Sequence, residues 1–260
     1  PLIAYRNWDK AIYALDTSHP EALQWLENLF VSFKKAGFRY FKIDFLFAGA
    51  VPGKRYKRVS PVEAYREGLK VIRKTLDGCF ILGCGAPLLP SVGYVDGMRI
   101  GPDTAPTYQP DPLNLLELNA YTALKNAVMR YFTHGRWWWN DPDCLLLRRE
   151  QTGLDDDARR IYALVSGALD NMLVESDYLA ASVDKGLWKE ALKLRGGKVE
   201  ICGLSDNEFV IMAFGTGRGD LELLCNLEEK RVNIRTLSLP LEKRVEKRED
   251  GRFFHYYEGV

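Results

Sequence analysis

Histidine and cysteine are scarce, three and five in 260 residues. The cysteines (Cys79, Cys84, Cys144, Cys202, Cys225) are odd in number and irregularly spaced, which argues against a disulfide framework and for a reducing, cytoplasmic setting. They form no metal-ligand spacing with His19, His134 and His255, so no metal is expected. Charge of one sign is lacking too: 36 basic residues face 35 acidic ones, a formal +1. That balance offers no field for nucleic acid or an anionic membrane. The run Lys54-Arg55-Tyr56-Lys57-Arg58 is the local exception and reads as a solvated loop. No stretch approaches the roughly 18 apolar residues of a membrane span, and the N-terminus does not resemble a signal peptide.

Familiar reactive motifs are missing as well. There is no Gly-x-Ser-x-Gly elbow, no phosphate-binding loop and no dinucleotide fingerprint. Gly83-Cys84-Gly85 follows a strand but runs into Pro87 and Pro90, leaving no helix N-terminus for a phosphate. No cofactor is therefore expected.

What the chain does have is a 47% hydrophobic composition arranged as short apolar segments alternating with longer amphipathic ones, the pattern of parallel βα units. Strands are expected at 11–15, 40–45, 79–83, 96–100, 136–139 and 170–175. Helices are expected at 20–35, 61–76, 114–132, 156–168 and 184–194. Pro20 after Thr17-Ser18-His19, and Pro61 after Ser60 with Glu63 behind it, mark two helix starts, and Gly37 closes the first helix. After about residue 197 only short β-like runs remain, at 199–202, 208–214, 220–226, 231–236 and 252–257. This predicts an α/β part over 1–196 and a small antiparallel β domain over 197–260, divided near Gly196-Gly197.

Within Phe41-Lys42-Ile43-Asp44-Phe45-Leu46-Phe47-Ala48, a lysine and a carboxylate two residues apart share one strand face. Buried together they must pair or do chemistry, because each charge has to leave water. Asp103, in Gly101-Pro102-Asp103-Thr104, is either a turn residue or a second carboxylate at a strand end. Trp137-Trp138-Trp139 leads into Asn140-Asp141-Pro142-Asp143, and Leu173-Val174-Glu175-Ser176-Asp177 closes the last strand. In a β/α barrel, catalytic groups gather at the C-terminal ends of strands, and aromatic faces beside carboxylates suit sugars. Each tryptophan is equally readable as packing.

Together, Lys42-Ile43-Asp44-Phe45 through Gly53, Ile81-Leu82-Gly83-Cys84-Gly85, Met98-Arg99-Ile100-Gly101-Pro102-Asp103 and Trp139-Asn140-Asp141-Pro142-Asp143 make the chain resemble the α-galactosidases of glycoside hydrolase family 36, over essentially its whole length. The resemblance implies an incomplete (β/α)8 barrel of about six βα units followed by a small antiparallel β domain. It also implies a retaining hydrolase of terminal α-1,6-linked galactose in melibiose- and raffinose-type oligosaccharides, with Asp44 as nucleophile and Asp103 as acid/base. Lys42, Cys84, Gly85, Arg99, Trp8 and Asp141 are implied as substrate-binding residues. Retention requires two carboxyl groups about 5–5.5 Å apart. Lys42 and Arg99 are expected to favour the charged form of Asp44.

Family barrels have eight strands and begin with segments that this chain does not show, so it is expected to be the C-terminal part of a longer enzyme. The expected partner is then the missing N-terminal half or a second copy, since open sheet edges promote association. Two other readings fit the same residues. One is a galactosyl-transferring relative of the raffinose-synthase type; the other is a non-catalytic fragment or assembly subunit.

Overall fold

The computed structural model describes residues 2–114, 117–178, 183–237, 241–247 and 253–259, the last two stretches by backbone alone. Residues 115 and 116 of the expected helix 114–132, and residue 252 of the expected strand 252–257, lie outside the described residues. The chain divides into two compact units, Pro1–Ala105 with Gln109–Cys144 and Asn171–Val174, and Pro106–Tyr108 with Leu145–Asp170 and Glu175–Val260.

The first unit opens with a hairpin, β1 (Ile3–Asn7) and β2 (Lys10–Tyr13), paired antiparallel. Its turn residues Trp8 and Asp9 both have positive φ, 49° and 57°, the backbone of a two-residue turn whose twist matches the strands it joins. The strand expected at 11–15 is thus the second arm of a hairpin and not the first of the parallel set. Trp8-Asp9 lacks the glycine that usually announces such a turn, and that is why the hairpin was not legible.

Helix α1 (Pro20–Lys35) follows, with the His19 side chain accepting the Glu21 amide at its start. Then come β3 (Tyr40–Ile43), α2 (Pro61–Thr75), β4 (Phe80–Gly83), a single-turn α3 (Leu88–Ser91), β5 (Gly97–Arg99), α4 (Ala120–Met129) and β6 (Trp139–Asp141). Helix α2 begins with a capping box in which Ser60 and Glu63 bond each other's backbone amides, satisfying donors that a helix start leaves orphaned. Its buried residues Ala64, Tyr65, Gly68, Leu69 and Ile72 lie on one stripe. Strands β3, β4, β5 and β6 pair parallel in that order, and Ile81, Leu82, Met98 and Ile100 are fully buried.

Two expectations shift here. The strand expected at 136–139 begins only at Trp139, whose amide reaches the Asp96 carbonyl at 2.8 Å. Residues 135–137 form a turn, with Gly135 at φ 66° and its amide bonded to the carbonyl of Trp138, which makes an isolated bridge with His134. The helix expected at 114–132 starts at Ala120, where Asn119 accepts the Thr122 amide, and ends in a 3-10 turn at Tyr131–Thr133. The strand expected at 170–175 is reduced to two residues of regular pairing, β8 (Val174–Glu175), after the equally short β7 (Cys144–Leu145). Met172 nonetheless donates its amide to the Asn140 carbonyl of β6 at 2.8 Å.

In the second unit, α5 (Asp156–Ala168) and α6 (Lys185–Lys193) are capped by Asp155 and Asp184. Strands β9 (Lys198–Gly203), β10 (Glu208–Thr216), β11 (Gly219–Asn226) and β12 (Arg231–Thr236) form an antiparallel sheet of order β12-β11-β10-β9. Phe209, Ile211 and Ala213 of β10, and Leu221, Leu223 and Cys225 of β11, alternate inward and are buried. Helix α5 packs on this sheet. A final hairpin pairs β13 (Leu241–Lys247), which was not expected, with β14 (Phe253–Gly259). Among the described residues no helix is long and apolar enough to cross a membrane.

Candidate active site

Four parallel strands send their C-terminal ends to the same edge of the first unit's sheet. Asp44 directly follows β3, Cys84 and Gly85 follow β4, Arg99 ends β5 with Asp103 four residues on, and Asp141 ends β6 with Asp143 beyond it. The ladder continues into the loops. The Cys84 amide reaches the Ile43 carbonyl at 2.9 Å, Phe47 the Gly85 carbonyl at 2.7 Å, and Ile100 the Asp141 carbonyl at 3.0 Å. Backbone hydrogen bonds therefore hold the residues around Asp44, Cys84 and Asp141.

Arg99 is the hub. Its buried guanidinium pairs through Nε with Asp141 at 3.0 Å, through Nη1 with Asp103 at 2.6 Å and through Nη2 with Asp143 at 2.6 Å. Burial alone would pull its pKa down, but the charges of Asp141 and Asp143 outweigh that and raise it. Among the described residues, three of its five N–H donors go to these carboxylates. Asp141 is 2% exposed, and its other oxygen accepts the Asp143 amide. Asp103 is the open member of the group, with its side chain 61% exposed. Arg99 was expected to support the charge of Asp44; its ion pairs go to the other three carboxylates instead.

Around Asp44 the packing is tighter. Gly85, at φ +52°, approaches Asp44 Oδ1 and the Phe45 backbone, a contact a larger residue would crowd. Cys84 is buried; burial pushes its thiol up to about 12, the adjacent Asp44 adds to this, and Arg99 and Lys42 oppose it. Such a thiol is protonated and no nucleophile near neutrality. Asp44 itself accepts the amide of Phe45, a residue in the left-handed region at φ 54°.

Lys42 and Asp44 are not a buried ion pair. Both are exposed, and no ion pair joins them among the described residues, because β3 is the edge strand of its sheet. Trp8 stands at the tip of the β1–β2 hairpin, 67% exposed, and none of its described contacts reaches the carboxylates. The same hairpin does touch the site through Tyr5, whose ring stacks on Phe45 at 5.1 Å and meets Phe47 at 5.5 Å. Sequence reasoning missed Tyr5 and Phe47, along with Asp143. The doubled Asp of Asn140-Asp141-Pro142-Asp143 was the available signal for the last. A cleft of about 450 Å³ at this edge is lined by Phe47, Gly85, Pro87, Arg99 and Arg130, among others.

No protein-family model matches the chain. Solved structures share its fold. The α-galactosidase of Thermus thermophilus in complex with p-nitrophenyl α-D-galactopyranoside is similar at TM-score 0.69 and 23% identity, over 89% of this chain and 46% of its own. In its complex with stachyose the figures are 0.63 and 27%, over 75% and 43%. A family 27 β-L-arabinopyranosidase from Geobacillus stearothermophilus is similar at TM-score 0.60 and 16% identity, over 99% of this chain and 64% of its own. The chain thus spans less than half the length of the Thermus enzyme.

Proposed function

We propose that this chain carries the catalytic carboxylates of a retaining exo-α-galactosidase acting on terminal α-1,6-linked galactose. The observation that carries the reading is the placing of Asp44 and Asp103 after β3 and β5, at the same sheet edge and separated by one strand. Strands about 4.8 Å apart put two such ends roughly 10 Å apart at the backbone. Retention uses carboxyl groups about 5–5.5 Å apart, so the two side chains have to reach over β4 to close that gap. The likeness to a galactosidase holding p-nitrophenyl α-D-galactopyranoside or stachyose supports an α-galactoside as substrate.

In this reading Asp44 attacks the anomeric carbon as the bond to the leaving oxygen breaks, and Asp103 gives that oxygen its proton. Water then attacks the galactosyl ester of Asp44, losing a proton to Asp103. Galactose leaves with its α configuration, and both carboxyl groups return to their starting states. Arg99 holds Asp103 and, with Lys42, Cys84 and Gly85, faces the sugar hydroxyls, and Asp141 anchors Arg99. The four motifs favour a family 36 type of enzyme with a (β/α)8 barrel, here its C-terminal part over 1–196 with the β domain over 197–260, working in the cytoplasm. The 46% coverage of the Thermus enzyme supports a need for further barrel strands, from an N-terminal half or a second copy.

The test is release of nitrophenol from an aryl α-D-galactoside by the purified chain, with and without the N-terminal half of a family 36 enzyme in trans. An Asp44→Ala chain and an aryl β-L-arabinopyranoside serve as controls. Asp44-dependent turnover of the galactoside is the expected result. Turnover of neither glycoside under either condition would contradict it.

A further inference from the structure

We infer that Asp143 is the positioning residue for Asp103, clamping the loop that carries the proton donor; the inference rests on the acid/base role proposed for Asp103. Asp143 uses its two oxygens on two different handles of that loop. Oδ1 pairs with Arg99 Nη2 at 2.6 Å, and the same guanidinium binds Asp103 through Nη1. Oδ2 accepts the backbone amide of Thr104 at 2.8 Å, the residue directly after Asp103. One carboxylate thereby fixes both the cation that Asp103 leans on and the peptide unit that Asp103 belongs to.

The rest of the geometry favours this role over contact with a sugar. Asp143 has its side chain only 14% exposed, against 61% for Asp103. Its backbone sits at φ 79°, in the left-handed region that is strained for a non-glycine residue. Its amide is held by Asp141 Oδ1 at 2.9 Å, which keeps the side chain turned toward Arg99 and Thr104. The stretch between Gly101 and Asp103 has no strand or helix to hold it, so the clamp adds a restraint on the acid beside its Arg99 contact. A proton donor misplaced by about 1 Å loses much of its effect.

A leaving group that needs protonation separates positioning from general damage. In the full chain, assayed as above, Asp143→Ala should lower kcat/KM for melibiose and alkyl α-galactosides by about 100-fold, the scale of general acid catalysis. It should leave dinitrophenyl α-galactoside, whose leaving group departs unprotonated, within roughly 3-fold of wild type. Asp143→Asn retains an acceptor for the Thr104 amide and should fall between the two. An equal loss on both substrates would overturn the inference. Amide hydrogen exchange reads the clamp without turnover: Thr104 should lose protection in Asp143→Ala while the β5 amides keep theirs. Unchanged protection at Thr104 overturns the clamp even in an active chain. Absence of turnover in wild type counts against the proposed function and leaves the exchange measurement to decide the clamp.

Discussion

Gly85 lies so close to Asp44 that a methyl group on it would stand 3.3 Å from Asp44 Oδ1 and equally near the Phe45 amide nitrogen. Its φ of +52° adds a conformational cost of roughly 1–2 kcal/mol for any L side chain. Gly85→Ala should therefore displace the proposed nucleophile. We expect kcat on an aryl α-galactoside to fall at least about tenfold, the equivalent of about 1.4 kcal/mol, with a thermal transition only a few degrees lower. An unchanged kcat would mean that the approach of Gly85 to Asp44 has no catalytic consequence.

Cys84 provides a chemical test of the same corner. With its thiol pushed up to about 12 by burial and by the Asp44 charge, roughly one molecule in 10⁴ carries the thiolate at pH 8. Ellman's reagent should label the half-buried Cys144 and Cys202 before the buried Cys79, Cys84 and Cys225. Activity should survive that first labelling. Rapid inactivation that follows modification of Cys84 would contradict this, because it requires a thiolate the site disfavours.

Asp16 ties the loop after β3 to the start of α1, accepting the Ser18 hydroxyl and amide and the Tyr56 amide. Burial pushes its pKa up, but these bonds and Arg55 outweigh that and hold it below the ordinary 3.8. A carboxylate depressed by folding contributes stability above its unfolded pKa and loses it as pH falls through the lower folded value. Asp16→Asn should thus melt lower than wild type at pH 7, and the difference should shrink below about pH 4. Thermal scans at pH 7, 5 and 3 measure it, and a gap that widens in acid would be the wrong sign.

The open edge of β3 makes a physical prediction about association. Tyr40 on that strand is 50% exposed, and Phe38, Trp25 and Phe33 nearby in sequence are 57%, 55% and 42% exposed. An unpaired strand edge flanked by apolar side chains is a template for pairing with another chain. Sedimentation should show self-association at micromolar concentration, reduced by Tyr40→Lys. A monodisperse monomer with a sharp thermal transition would contradict it.

Helices α1 and α2 were legible because their signals are local: His19-Pro20 and Ser60-Pro61 mark the starts, and the apolar stripe supplies the period. The parallel set was legible for the opposite reason, since buried strands read as short apolar runs between helices. What escaped was decided by contacts distant in sequence or by rare backbone. Trp8-Asp9 turns a hairpin at positive φ without glycine. Trp137 looks like a strand residue but lies in a turn, and Trp138 makes only an isolated bridge with His134. Lys42 reads as a buried charge because nothing in a four-residue pattern says that β3 is an edge. In the site, Asp44, Cys84, Gly85, Arg99 and Asp103 were singled out from their motifs, and the structure brings Arg99 onto Asp103 and Gly85 onto Asp44. The grip of Asp143 on Thr104 joins residues 39 apart and has no sequence signature of its own.

The most direct test of the central claim is to trap the galactosyl–enzyme. The chain, supplied with an N-terminal half in trans if it needs one, is incubated with a fluorinated α-galactosyl fluoride that forms the covalent ester faster than it hydrolyses. Intact mass and peptide mapping follow. The account predicts one galactosyl adduct on the peptide containing Asp44 and none in Asp44→Ala. A lasting adduct on another carboxylate, or turnover of the reagent with inverted product and no adduct, would contradict it.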